Sequence, residues 1–303
     1  MKNAIVYVCE ENFFAPSLIS CQSFDWSHTP DIDKYIFICT ENYDFFSKAY
    51  SYCKKNEPDI FIRKMDISGA KDFSILPHLH VATYGRLFLH NHLDLSYNRV
   101  LYLDGDTLAG NERVNFDTDL GGKVIGAVHD IGVIREGLAA QLLNMPEGLN
   151  AKYFNAGVLL IDWKLWCKNS VGNRSIEYLK TYPTIQYGDQ CALNNILINQ
   201  WAELHPSWNT QTDFLPEKSL TKRAKIFHFT GAVKPWQSDL WKHDKTFTNY
   251  YKKKLKGHNF DTVFRSETLR SRISRMLRKI GRKKKSNWSN WVITNYDDID
   301  KHN

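Results

Sequence analysis

The segment Arg99-Val100-Leu101-Tyr102-Leu103-Asp104-Gly105-Asp106 decides the fold. Its first five residues form a short apolar run that reads as a buried strand, and it ends on two carboxylates around a glycine. Similar β-rich runs lie upstream at Ala4 to Cys9, Tyr35 to Cys39 and Ile60 to Met65. Helical stretches separate them, Ala15 to Phe24 and Asp44 to Lys55, and a further helix at about His80 to His92 leads into Arg99. Alternation of this kind predicts βαβ units and a mostly parallel sheet, an α/β fold. Downstream, Val124 to Val128, Gly157 to Ile161 and Lys225 to Phe229 read as strands, and Cys191 to Asn199 as a helix.

In such a sheet a ligand binds beyond the carboxyl ends of the strands. A dinucleotide fold would place G-x-G-x-x-G after the first strand. Glu10-Glu11-Asn12-Phe13 stands there instead, which disfavours hydride transfer. Asp104 and Asp106 lie two residues apart, so in an extended chain both point the same way and can face one cation. Carboxylate oxygens suit magnesium or manganese, which bridge phosphate oxygens. The plainer alternative is a turn, with Gly105 supplying the bend.

Three other segments carry polar groups at element ends. Phe227-His228-Phe229-Thr230-Gly231 leads to Lys234-Pro235-Trp236. His228 could complete a cation's ligand set, Gly231 lets backbone approach a phosphate, and Lys234 supplies a point charge. Otherwise His228 is a satisfied core histidine and Lys234 a solvated side chain. Asn155 opens the strand after Phe154, and Asp189-Gln190 precede a helix. These groups can hydrogen-bond sugar hydroxyls, or Asp189 can be a helix cap.

Composition sets the limits. The 303 residues, 43% hydrophobic and 24% charged, suit one substantial globular core. No apolar stretch is long enough to span a membrane, and MKNAIVYVCEENFF lacks the pattern of a signal peptide, so residence in the cytoplasm is expected. The six cysteines form no C-x-x-C pair, which argues against a zinc knuckle or a disulfide framework.

Taken together and in order, these segments resemble glycosyltransferase family 8, the bacterial lipopolysaccharide galactosyl- and glucosyltransferase type. The matching blocks are Ala4 to Phe13, His78 to Leu87, Val100 to Asp106, Tyr153 to Ile161, Gln186 to Asn194 and His228 to Trp236. The resemblance implies a GT-A fold with a mixed central sheet, a UDP-hexose donor (galactose or glucose), a glycan acceptor that is lipid-linked, and retention of configuration. It implies manganese, with magnesium as the alternative, held by Asp104, Asp106 and His228. On the donor side it implies Val8, Glu10, Asn12, Arg86, Asp104, Gly105, Asn155, Gly231 and Lys234. It puts His78 on the acceptor side, and Arg86, Asp189 and Gln190 about the transferred sugar as catalytic residues.

Two positions depart from the family pattern. Cys191 stands where a second acid is frequent, and Glu10 where aspartate is usual. A neutral amide is a poor nucleophile, so covalent catalysis on Gln190 is unattractive, and same-face attack assisted by the leaving phosphate is the expected route. A second class of reading is a sugar-nucleotide or glycan-binding module whose chemistry has decayed. The complete set Asp104, Asp106, His228 and Lys234 speaks against it.

The net charge of +7 is localised: residues 265–285 carry +9, the rest of the C-terminus −2, and residues 1–264 none. Phe264, Leu269, Ile273, Met276, Leu277 and Ile280 repeat at helical spacing within this basic run. The reading divides the chain into a catalytic domain, 1–257, and a basic amphipathic tail, 258–303. The tail is expected to lie on an anionic membrane, placing the protein on the inner face of the cytoplasmic membrane. Docking of the tail on the catalytic domain is the alternative. Nucleic acid is not an expected partner, because the body is uncharged overall and carries no motif for it.

Overall fold

The computed structural model describes residues 2–27, 29, 31–70, 73, 81–146, 151–183, 185–213, 222–231, 234–237, 245–256 and 260. His78 and the tail helix expected between 262 and 285 lie outside these residues.

The first strand, β1 (Asn3–Cys9), is buried along its whole length. Its neighbours are β2 (Ile32–Ile38) and β4 (Arg99–Leu103), both parallel to it, and β3 (Ile60–Lys64) extends the sheet beyond β2. On the other side of β4 lies β7 (Val158–Asp162), antiparallel to β4 and to β6 (Ile125–Ala127), with β8 (Trp201–Glu203) parallel to β6. The order is therefore β3-β2-β1-β4-β7-β6-β8, and the one reversed strand makes the sheet mixed.

Side chains alternate between faces along β1, as strand geometry requires. Ile5, Tyr7 and Cys9 pack with α1 (Glu11–Ser23) and α2 (Tyr43–Asn56). Ala4, Val6 and Val8 face the opposite layer, built from the 3-10 helix Val81–Asn91 and helices α5 (Trp163–Lys168), α6 (Val171–Thr181) and α7 (Gly188–Ile196). Covering both faces explains why the parallel strands read as continuous apolar runs. Two short helices, α3 (Ile131–Glu136) and α4 (Ala139–Leu142), follow β6.

A smaller sheet decides where the polar groups meet. Strand β10 (Ile226–His228) runs between β5 (Thr107–Ala109), antiparallel to it, and β9 (Thr210–Gln211), parallel to it. Asp104-Gly105-Asp106 is thus the passage from the large sheet to the small one. It is a turn and not a continued strand, closed by Thr107 Oγ1 donating to the Asp104 carbonyl at 2.9 Å. The expected extended geometry is corrected here; convergence of the two carboxylates comes from the bend. The register then sets His228 opposite Thr107.

Other boundaries moved as well. Helix α1 starts at Glu11 and carries Pro16 internally, which puts Asn12 in its first turn. Pro16 is the sixth helical residue and has no amide hydrogen, so the Asn12 carbonyl lacks its usual donor one turn on. The expected helix near His80 to His92 is wound as a 3-10 helix. Three residues per turn stack Arg86 over Thr83, whose carbonyl accepts Arg86 Nε–H at 3.1 Å. All six cysteines are free thiols. Among the described residues, no helix is long and apolar enough to cross a membrane.

The last described helix, α8 (Lys245–Leu255), buries Tyr251 against Trp236 and Phe229. Beyond it, Phe260 is 6% exposed in an aromatic nest with Phe14 at 4.8 Å, Tyr52 at 5.4 Å and Phe45 at 6.0 Å between ring centroids. The packed body therefore reaches residue 260. Phe260→Ala should lower unfolding free energy by about 3 kcal/mol. Tyr43→Ala, at a side chain 77% exposed, should change it by under about 0.5 kcal/mol. Urea denaturation of both variants checks the contrast.

Candidate active site

A cavity of about 580 Å³ opens at the carboxyl ends of β1 and β4. Val8, Glu10, Arg86, Asp104, Gly105 and Asp106 line it. So do Asn155, Asp189, Gln190, His228, Gly231 and Lys234. Nearly every residue singled out from the sequence is therefore brought together. Asn12 is the described exception: it is exposed on α1, and Phe13 reaches the cavity wall instead.

At the base stand Asp104, Asp106 and His228, with one ligand atom from each lying within 4.8 Å of the others. His228 Nε2 is 3.3 Å from Asp106 Oδ1 and 3.8 Å from Asp104 Oδ2. The remaining carboxylate oxygens are engaged elsewhere. Asp104 Oδ1 accepts from Tyr102 Oη at 2.8 Å and Arg86 Nη2 at 3.1 Å. Asp106 Oδ2 accepts from Lys234 Nζ at 2.5 Å, and Lys234 also reaches the Phe229 carbonyl at 2.7 Å.

Burial alone would raise the Asp106 carboxyl, but Lys234 and His228 outweigh it and hold the group well below the usual carboxylate range. The Asp106 carboxylate is thus held ionised, with one oxygen toward His228 and the other toward Lys234. Two carboxylate oxygens and an imidazole nitrogen suit a divalent cation such as manganese. Gly157 supports this fit from the floor. A Cβ there would fall 2.2 Å from His228 Cε1 and 2.6 Å from Asp104 Oδ2, so any side chain would press into the ligand atoms. Gly105 has a different role: a Cβ there would fall 2.3 Å from Ser17 Oγ, so its absence lets the turn lie close against α1.

Arg86 links this centre to the other half of the cavity. It is 5% exposed, and its guanidinium lies 4.5 Å over the Tyr102 ring. Nη1 donates to the Ala156 carbonyl. Nε is 2.7 Å from Asp189 Oδ2, but its single hydrogen is used on the Thr83 carbonyl, so the Asp189 contact is ionic. Burial pulls the guanidinium's proton affinity down, yet Asp104 and Asp189 together raise it above its ordinary value. Burial pushes the Asp189 carboxyl up to about 6, against the attraction of Arg86 and with help from Asp104.

Gln190 is held at both ends: Oε1 accepts from Ala156 N at 3.0 Å, and Nε2 donates to Asp130 Oδ2 at 3.1 Å. Asp130 was not singled out from the sequence, yet it lines the cavity and also accepts from Asn155 Nδ2 at 3.0 Å. Its signal was present, an aspartate just past the strand 124–128, the same placement as Asp104. Asn209 was missed too, and no local pattern marks it, since it ends a 3-10 turn, Pro206–Asn209, between two sheets.

With this geometry in place, the comparisons with known proteins can be read. Residues 4–240 match the sequence pattern of Glycosyl transferase family 8. The chain belongs to that family. It is 32% identical over 180 residues to General stress protein A of Bacillus subtilis, covering 54% of this chain and 61% of that protein. It is 28% identical over 218 residues to Lipopolysaccharide 1,2-glucosyltransferase of Escherichia coli, covering 68% of this chain and 64% of the relative. Lipopolysaccharide 1,3-galactosyltransferase of Salmonella typhimurium is 27% identical over 210 residues, 64% of this chain and 62% of that one. The chain thus spans somewhat under two thirds of these relatives' length. Among solved structures, the galactosyltransferase LgtC in complex with donor and acceptor sugar analogs superposes with a TM-score of 0.68. Identity there is 25%, over 82% of this chain and 95% of that one. The fold of this family 8 member is GT-A.

The raised Asp189 carboxyl has a measurable consequence. A carboxyl whose folded value, about 6, exceeds its unfolded value of 3.8 stabilises the fold while protonated and loses that contribution as pH rises. Relative to Asp189→Asn, the wild-type protein should lose up to about 3 kcal/mol between pH 4 and pH 6. Chemical denaturation of both proteins across that range tests the sign and the window.

Proposed function

We propose that this family 8 chain is a retaining, divalent-metal-dependent hexosyltransferase. It moves galactose or glucose from a UDP-sugar onto a glycan of the lipopolysaccharide type. The convergence of Asp104, Asp106 and His228 over the side-chain-free Gly157, in a cavity that Lys234, Asn155 and Gln190 also line, carries the reading. The names of the relatives support the acceptor class, since two of them act on lipopolysaccharide. One is a glucosyl- and the other a galactosyltransferase, so the donor hexose stays a choice of two.

Asp104, Asp106 and His228 would hold a divalent cation, which would supply positive charge to offset that developing on a departing diphosphate. Lys234 stands beside Asp106 with its ammonium at the cavity wall, where it adds a second positive charge for the phosphates. Gly231, on the same wall, leaves room for backbone approach. Arg86 pins Asp104 and Asp189 in one ionic string, which holds the sugar side of the cavity at a set distance from the diphosphate side.

The residues near the sugar bear on stereochemistry. Gln190 Oε1 already accepts from a backbone amide, and a neutral amide oxygen has little basicity. Asp189 is buried against Arg86. Neither is a free nucleophile, which favours same-face attack assisted by the leaving phosphate and a product of retained configuration. The protein is read as peripheral, at the inner face of the cytoplasmic membrane and held to anionic lipid by residues 262–285.

The central test is slow hydrolysis of a UDP-sugar panel with manganese and no acceptor. UDP-galactose or UDP-glucose should be cleaved, and chelator should abolish the reaction. Asp106→Ala should cut turnover by about 100-fold or more, and proton NMR of the fresh sugar should show the α anomer. Undiminished activity in excess chelator, or a β product, defeats the proposal.

The tail has its own test. Deleting everything after residue 260, so that Phe260 keeps its nest, should leave this hydrolysis nearly unchanged. Binding to anionic phosphatidylglycerol vesicles should drop at least tenfold, since each basic residue contributes about 1 kcal/mol at such a surface. A truncation that damages hydrolysis and lowers thermal stability together would instead show the tail packed on the body.

A further inference from the structure

We infer that Asn209 is a positioning residue that holds a proton on His228 Nδ1 and so fixes the ring with Nε2 turned toward Asp104 and Asp106. The inference rests on a chain of hydrogen bonds whose direction is forced from its two ends. At one end, the backbone N–H of Gly157 lies 3.0 Å from Asn155 Oδ1. A peptide N–H can only donate, so that position must be the amide oxygen. The nitrogen of Asn155 then faces Asp130 Oδ2 at 3.0 Å, an acceptor, as it must.

Asn155 Oδ1 also faces Asn209 at 2.9 Å. An oxygen there can only accept, so Asn209 presents its Nδ2 to Asn155 and its Oδ1 to the other side. That Oδ1 lies 2.9 Å from His228 Nδ1. An amide oxygen cannot donate, so Nδ1 carries the proton. The proton position on His228 is thereby dictated by a backbone amide two side chains away. The three side chains are 8%, 1% and 4% exposed, so water has little room to compete for any link.

The opposite end of the network is equally directional. Gln190 Nε2 donates to the same Asp130 oxygen, while Asp130 Oδ1 accepts from Val133 N at 2.9 Å and caps α3. Asp130 accepts at both oxygens, so neither Asn155 nor Gln190 can flip without setting oxygen against oxygen. Reversing Asn209 would likewise put its oxygen on Asn155 Oδ1 and its NH2 on His228 Nδ1–H. A ring neutral at Nε2 is the form that ligates a cation, and an oxygen partner at Nδ1 fixes ring orientation and raises basicity. This consequence rests on the metal reading above; the tautomer itself follows from the hydrogen-bond geometry.

The tautomer is measured directly on the full-length, metal-free wild-type protein, with 15N-labelled histidine at a pH where the ring is neutral. Two-bond 1H–15N couplings for the ring lost in His228→Gln should show the proton on Nδ1. A proton on Nε2 overturns the inference. Manganese affinity, read by electron paramagnetic resonance of free Mn2+ without nucleotide, gives the second readout. Asn209→Leu, similar in size but without an acceptor, should weaken Mn2+ binding by about 10- to 100-fold. Asn209→Asp keeps an oxygen toward Nδ1 but sets its second oxygen against Asn155 Oδ1, so it should restore binding only in part, to a level above that of the Leu variant. A folded Asn209→Leu protein that binds Mn2+ like wild type, or an Asp variant as weak as the Leu variant, overturns the role. If Asn209→Leu does not fold, the wild-type couplings and the Asp variant still decide. Wild-type protein that binds no Mn2+ defeats the metal reading instead, while the couplings continue to report on Asn209.

Discussion

A carboxylate taken out of water must be compensated, and much of this site is arranged around the compensation of one, Asp106. Its side chain is almost fully buried at the junction of the two sheets. One oxygen meets Lys234 and the other faces His228, both contributed by β10 or the segment after it. The backbone adds a tie, with Phe229 N donating to the Asp106 carbonyl at 3.0 Å. A buried charge stripped of its partners would cost several kcal/mol. The small sheet is therefore bound to the end of β4 by electrostatics as well as by its ladder. The same arrangement leaves two carboxylate oxygens and one imidazole nitrogen facing each other over Gly157.

The second half of the cavity is organised by neutral and ionic links of a different kind. Arg86 holds Asp104 and Asp189 together, and Asp130 gathers the amides of Asn155 and Gln190. Buried polar groups in these networks have partners whose donor or acceptor character is unambiguous, which gives each amide a single orientation. Rigidity of this sort is what a site needs if it is to act by charge placement, because groups already oriented need no reorganisation during reaction. Membership of glycosyl transferase family 8 agrees with such a site. The relatives that share the pattern include both glucosyl- and galactosyltransferases, so the common framework serves more than one hexose.

Two features change how the C-terminal region is understood. Phe260 is seated among Phe14, Phe45 and Tyr52, so the chain beyond α8 is tied to the helical layer over α1 and α2. The basic residues 265–285 follow this anchor within a few positions. A charge count, from which the boundary at 257 was expected, registers the basic run and takes no account of a single aromatic side chain such as Phe260 before it.

The strand runs around Ile5, Ile36 and Val100, the carboxylates at the end of β4, and the polar blocks around Asn155, Asp189 and His228 were all legible in the sequence. Each is a local pattern: an apolar run long enough for a strand, followed by polar residues where the strand must end. Asp130 carried the same local signal. The sequence order of these blocks was enough to determine the family and the mixed α/β architecture. Only the tertiary structure decided that Asp104 and Asp106 converge through a turn, that Asn12 points away from the cavity, and that Asn209 sits behind His228. Those outcomes depend on which strands pair and in what register, here His228 opposite Thr107 and Asp104 beside Gly157. Pairing of that kind joins residues 53 and 121 positions apart, and its free energy comes from long-range burial and hydrogen bonding that no local stretch of sequence contains.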